Sequence, residues 1–224
     1  MTVILVILTF AIFLTIDYFR NRKPAEQPVP ALAFKPSTEL SRTMPPLVAG
    51  FQLPAVLRYH PGHTWALGES PTLVRVGMDD FAARFVGKVE SIELPKQGQW
   101  IRQGQKIMTV FEDGKRASLV SPIEGEVAGV NQAIVKDPAL ATRDPYGEGW
   151  LLTVHSPDAK TSFRNLLGGS LARRWMEDAA SRLMIRLPAL AGAVAQDGGV
   201  AVADTSTHLS EESWNELAHE FFLT

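Results

Sequence analysis

The chain contains no cysteine. Disulfides, thiolate nucleophiles and cysteine-ligated metals or clusters are therefore excluded, although the cellular compartment is left open. A strong charge of either sign is also missing: 22 Lys and Arg stand against 24 Asp and Glu, a formal net charge of −2. With neither a basic face nor interleaved aromatic and basic residues, no nucleic-acid partner is expected. Chemistry-bearing clusters are sparse. His60 and His63 lie three apart with no third ligand near them, which is the pattern of structural histidines and not of a metal site. Glu124 and Glu126 share a strand face but have no companion base or nucleophile, so they read as solvated charges. The expectation is a non-enzyme with no catalytic residue and no metal.

What is present begins with an apolar run from Val3 to Ile16, broken only by Thr9 and Thr15. At 1.5 Å per residue it covers roughly 24 Å of a roughly 30 Å hydrocarbon core, so Tyr18 and Phe19 extend it into the interface. Residues 1–20 thus read as a single-pass transmembrane anchor in the lipid bilayer. Arg20, Arg22 and Lys23 follow the run, and no small-residue cleavage site does. That is the pattern of an anchor and not of a cleaved signal, with the N-terminus outside and the body cytoplasmic. Residues 21–56 hold Pro24, Pro28, Pro30, Pro36, Pro45, Pro46 and Pro54. They read as a tether able to span on the order of 30 Å or more, or as a segment lying along a partner through Leu47 to Phe51.

From Leu57 the pattern becomes short strands separated by turn residues, as in an all-β sandwich or barrel. Leu73 to Gly77 alternates, Gly87 to Leu94 carries Val89, Ile92 and Leu94, and Lys106 to Glu112 is a longer strand. Asp113-Gly114 is a pair suited to a tight type I′ turn, because both central positions need positive φ. Arg116 to Ser121 then returns antiparallel, and Gly125 to Val130 is a further strand. Between Met78 and Val86, acidic Asp79 and Asp80 precede apolar residues at helical spacing, predicting a short helix.

His63-Thr64-Trp65, Gly87-Lys88-Val89 leading to Ile92-Glu93-Leu94-Pro95, Gly98, Gly104, Ser121-Pro122-Ile123-Glu124-Gly125-Glu126-Val127, Val130-Asn131 and Asp144-Pro145-Tyr146-Gly147-Glu148-Gly149-Trp150 occur in order. In that order and spacing residues 57–157 resemble the H protein of the glycine cleavage system. The resemblance implies a mostly-β fold, a flattened lipoyl-domain-like β-barrel (barrel-sandwich hybrid) with short helices. It also implies lipoate on a hairpin lysine, for which Lys115 is the candidate. In that family the lipoyl disulfide accepts an aminomethyl group from glycine, presents it for methylene transfer to a folate and is reoxidised by a flavoenzyme. A glutamate precedes the family's modified lysine by three residues, as Glu112 precedes Lys115. From Lys115 forward to Pro122 and Gly125 the chain is one residue shorter than the family, and Gly114 stands where the family has a bulkier residue.

Residues 158–188 read as a helical extension in which Leu167, Leu171, Trp175, Ala179 and Leu183 recur at helical intervals among arginines. Residues 189–224 read as an Ala-, Gly- and Val-rich linker, from Ala191 to Thr207, followed by a short amphipathic helix. Ser210 caps that helix, and Trp214, Leu217 and Phe221 share one face that needs a surface, either its own barrel or a partner. Two functions follow. One is a membrane-anchored lipoyl carrier serving glycine cleavage enzymes. The other is a lipoate-free module of the same fold, with no cofactor, acting as an interaction subunit of a membrane protein complex.

Overall fold

The computed structural model describes residues 45–112, 114–186 and 210–224. Its elements follow in chain order: β1 (Leu47–Val48), β2 (Phe51–Gln52), β3 (Arg58–His60), β4 (Thr64–Gly68), β5 (Leu73–Met78), α1 (Asp80–Val86), β6 (Ser91–Glu93), β7 (Trp100–Ile101), β8 (Lys106–Glu112) and β9 (Lys115–Val120). After these come β10 (Gly125–Val130), α2 (Gln132–Lys136), α3 (Leu140–Arg143), β11 (Leu152–His155), α4 (Ala159–Arg164), α5 (Gly169–Arg186) and α6 (Glu211–Phe222). The strands form a six-stranded sheet in the order β3-β4-β5-β11-β10-β7, a three-stranded sheet β6-β8-β9, and the separate hairpin β1-β2. Short, β-branched runs cut by glycines favour many brief antiparallel strands over a few long ones.

Register is set where large side chains cross glycines. Trp65 pairs with Gly77, and a Cβ on Gly77 would lie 2.5 Å from the indole ring, so the tryptophan fills space that only glycine leaves. The indole N–H donates to the Pro145 carbonyl at 3.1 Å, tying β4 to the Asp144–Trp150 turn. That turn is wound on its own carboxylate: Asp144 accepts from the N–H groups of Gly147 (3.1 Å) and Glu148 (2.8 Å). Nearby, the Asn131 amide donates to the carbonyls of Glu148 (2.8 Å) and Trp150 (2.6 Å) while its Oδ1 caps α2. The most recognisable stretch of the chain is therefore a structural fastening.

The start of the fold differs from the tether reading. Residues 45–56 belong to the folded body: β1 and β2 make a hairpin turned by Ala49 and Gly50, both at positive φ (49° and 88°), with Val48, Phe51 and Leu53 buried. The Gln52 N–H donates to Asp80 at 2.7 Å, and the Tyr146 hydroxyl donates to the Gln52 carbonyl at 2.7 Å. Leu47 to Phe51 carried the signal, an apolar run broken by a turn pair, but its length is too short to display a period. The anchor over residues 1–20, the remainder of the tether and most of the linker fall outside the described residues. No helix among the described residues is long and apolar enough to cross a membrane.

At the other end, α6 packs in cis. Trp214, Leu217, Phe221 and Phe222 are buried in the same core as Trp65, Phe81 and Phe85. β9 is the end strand of its sheet, and α6 runs against it. Covering an edge in this way removes an exposed strand from aggregation. Ser210 caps α6 as its sequence predicts, accepting from the Ser213 N–H.

Candidate functional site

The longest hairpin of the three-stranded sheet carries the candidate lysine. β8 and β9 pair antiparallel through Val110 opposite Ala117, Phe111 opposite Arg116 and Glu112 opposite Lys115. The turn between them contains Gly114 at φ +77°, and a side chain there would meet nothing within 4 Å, so the turn projects into open space. Asp113, its companion, lies outside the described residues.

Lys115 is thus the first residue of β9 and not the outermost residue of the turn. Directly paired residues share a face, so Lys115 lies on the side of Glu112, Val110 and Ala117, the inward side of the sheet. It is half-buried. Glu112 is buried, and its Oε1 accepts from the backbone N–H of Lys88 at 3.1 Å, joining the hairpin to the loop after α1. The structure brings all three candidate residues, Glu112, Gly114 and Lys115, to one hairpin end. The return strand starts at Lys115, one residue before the expected Arg116, because the two-residue turn closes directly on the Glu112–Lys115 pair.

Beneath α6 lies a buried ionisable pair. His63, at positive φ (59°), holds its Nδ1 2.9 Å from Asp79 Oδ2, and both residues are almost wholly buried. The imidazole stacks on Phe81 (ring centroids 4.0 Å apart) and lies 4.6 Å from Trp175. Asp79 Oδ1 accepts from the Ala82 N–H at 2.8 Å and caps α1. His60 has a separate partner, its Nδ1 accepting from the Gly62 N–H at 3.0 Å. Among the described residues no three His, Asp or Glu side chains converge as metal ligands. Glu124 and Glu126 are exposed.

A second buried charge, Arg75, sits against Trp150 with its guanidinium 5.4 Å from the ring centroid and is ion-paired with Glu69. Burial lowers its pKa to about 10, with Glu69 acting in the opposite direction. It braces β5 against the turn and lies on the six-stranded sheet, apart from the hairpin.

Comparison with known proteins identifies the family. A family model described as "Glycine cleavage H-protein" matches residues 57–179. The chain is similar to the glycine cleavage system H protein of Psychrobacter cryohalolentis, 39% identical over 116 residues, covering 51% of this chain and 90% of that protein. It is also similar to the glycine cleavage system H protein of Thermus thermophilus, 36% identical over 100 residues, covering 45% of this chain and 77% of that one. A crystal structure of the H protein from Mycobacterium marinum aligns with a TM-score of 0.44 at 31% identity, over 47% of this chain and 87% of that chain. H proteins carry lipoate and are carriers, not enzymes. This chain belongs to the glycine cleavage H-protein family.

Proposed function

We propose that this chain is a lipoyl carrier of the H-protein type with Lys115 as the attachment residue. The observation that carries this reading is the end of the β8–β9 hairpin, where Lys115 closes the turn and Glu112 stands three residues before it. The residues fit an arm there: the space around Gly114 is open, and the lysine roots the arm in a strand. When bound, lipoate supplies a disulfide that can accept and release a transferred group. The protein supplies position. Glu112, held by the Lys88 N–H, fixes the base of the hairpin, and the strand pairing limits where the Lys115 stem can point. The partners on this reading are the enzymes of glycine cleavage, and residues 1–20 would hold the carrier at a membrane, N-terminus out and body cytoplasmic.

One observation favours the second reading, a lipoate-free interaction subunit of a membrane complex. Lys115 faces the side of buried Glu112, whereas Gly114 occupies the turn itself. A ligase that recognises a lysine projecting from a turn meets a different shape here, since a one-residue change in a hairpin moves side chains to the other face. Intact-mass measurement of protein from its native source separates the readings. The carrier requires a lipoyl adduct, absent from the Lys115→Arg variant, with the unfolding temperature unchanged. Unmodified wild-type protein in cells that lipoylate other substrates would end the carrier reading.

A further inference from the structure

Helix α1 is fastened to a hairpin at each end. At its start, Asp80 Oδ2 accepts from the Gln52 N–H at 2.7 Å, which ties the helix to β2, a strand that precedes the family match. The same carboxylate holds Arg84 one turn on, Oδ1 accepting from Nε at 3.0 Å and Oδ2 lying 3.0 Å from Nη2. The Arg84 guanidinium in turn lies 5.6 Å from the centroid of the Phe51 ring, and Phe51 lies 5.0 Å from Phe81. Tyr146 closes the ring: its hydroxyl accepts from the Asp80 N–H at 2.9 Å and donates to the Gln52 carbonyl. Backbone, ring and charge thus all join β2 to the first turn of α1.

The far end of α1 meets the β8–β9 hairpin. Gly87, at φ +78°, ends the helix with its N–H on the Ala83 carbonyl at 3.1 Å, and the chain then turns so that the Lys88 N–H reaches Glu112 Oε1. Two residues on, the Glu90 N–H donates to the Phe111 carbonyl at 2.9 Å. Both acceptors belong to the last residues of β8, and Glu112 pairs with Lys115. Between these ends the helix has little freedom, because Asp79 caps it and Phe81, Ala82, Phe85 and Val86 are buried. Seven residues of helix span about 10 Å and move as one body, so a shift at Asp80 is felt at Lys88.

The lysine hairpin needs such support. Lys115 stands in the strand and not at the apex of the turn, so its direction follows the seating of Glu112 beside it. We propose that Asp80 is a positioning residue for Lys115, acting through α1: it locks the β1–β2 hairpin to one end of the helix and so holds the Lys88 loop, Glu112 and the lysine in place at the other. The consequence for lipoylation rests on the carrier reading, whereas the link to the hairpin does not.

Amide hydrogen exchange, followed by NMR on the full-length chain in detergent, tests the link. Exchange of the Lys88 and Glu90 amides should rise roughly tenfold in Asp80→Ala. Gln52→Pro removes the donor and leaves the carboxylate with Arg84, so it should raise the same two rates even if Asp80→Ala fails to fold. Asp80→Asn keeps an oxygen for the Gln52 N–H and should restore most of the protection. Asn131→Ala loosens the Asp144–Trp150 turn, away from this path, and should leave both amides at the wild-type rate. In cells that lipoylate the wild-type chain, the adduct should fall roughly threefold in Asp80→Ala and recover in Asp80→Asn. No rise in exchange in either Asp80→Ala or Gln52→Pro, or a rise of equal size in Asn131→Ala, would overturn the proposal. If the exchange effect appears while the wild-type chain carries no lipoyl group, the carrier reading fails and the link to the hairpin stands.

Discussion

Asp79 shows how much one carboxylate can hold. Its two oxygens serve different partners, Oδ1 capping α1 and Oδ2 facing His63, in a site with no solvent access. Asp79→Ala therefore removes a helix cap, about 1 kcal/mol, and strands a buried imidazole nitrogen, about 1–3 kcal/mol more. Urea unfolding should report a loss of about 2–4 kcal/mol, and Asp79→Asn, which keeps an acceptor for the cap, should lose less. His60 provides a titration at the same scale. Burial, and after it the nearby His63, holds its pKa below the ordinary 6.5. The unfolded chain then binds a proton that the native chain resists. The stabilising contribution is present above pH 6.5 and is lost as pH falls through the depressed native value. Glu69 works in the opposite sense, its pKa raised above 4.5 by burial, so its contribution is lost as pH rises through that raised value. The test is consequently a difference: stability measured between about pH 7 and 5 should fall less steeply in His60→Gln than in wild type.

At the scale of elements, α6 is a part of the core and not an appendage. A twelve-residue helix is marginal in water by itself. Here its aromatic face meets α1, with Trp214 5.5 Å from Phe85, Phe221 4.9 Å from Phe81 and Phe222 5.3 Å from Phe85, as ring centroids. Trp214→Ala and Phe221→Ala should each cost about 3–5 kcal/mol and lower the unfolding temperature of the purified chain by roughly 10 °C. Trp214→Phe should cost less than Trp214→Ala, because the indole N–H is buried without a hydrogen-bond partner among the described residues. An unfolding temperature that does not move in either alanine variant would mean that the helix does not pack in cis in solution.

At the scale of the whole molecule, the described residues from 45 onward close a core of their own, drawing on β1, β2 and α6 as well as the family-matched residues. A chain lacking residues 1–44 should fold and remain in the soluble fraction, whereas the full chain should sediment with membranes if Val3 to Ile16 anchors it. Retention of the truncated chain in washed membranes would instead point to a partner that holds the body. Protease added outside sealed cells should leave the body intact, and its digestion would reverse the proposed topology.

Much of this was legible from local chemistry. Gly114 does adopt positive φ, the short helix after the acidic Asp79-Asp80 pair and the Ser210 cap form where the residue types predict, and the order of motifs identifies the family. Such features depend on a few neighbouring residues, so the chain states them directly. Three others do not. The β1–β2 hairpin is too short to carry a period and is held by Asp80 and Tyr146, far along the chain. The face of Lys115 follows from the pairing of Glu112 with it, a register that one residue of turn length would reverse. The cover on the hairpin's other face exists only because Asn215, Ala218 and His219 come to rest over Thr109 and Ser118 about a hundred residues away. The sequence by itself determined turns, caps, strand periodicity and family. Tertiary structure decided which side of the hairpin Lys115 takes and what covers the other, because those depend on packing between segments that no local pattern connects.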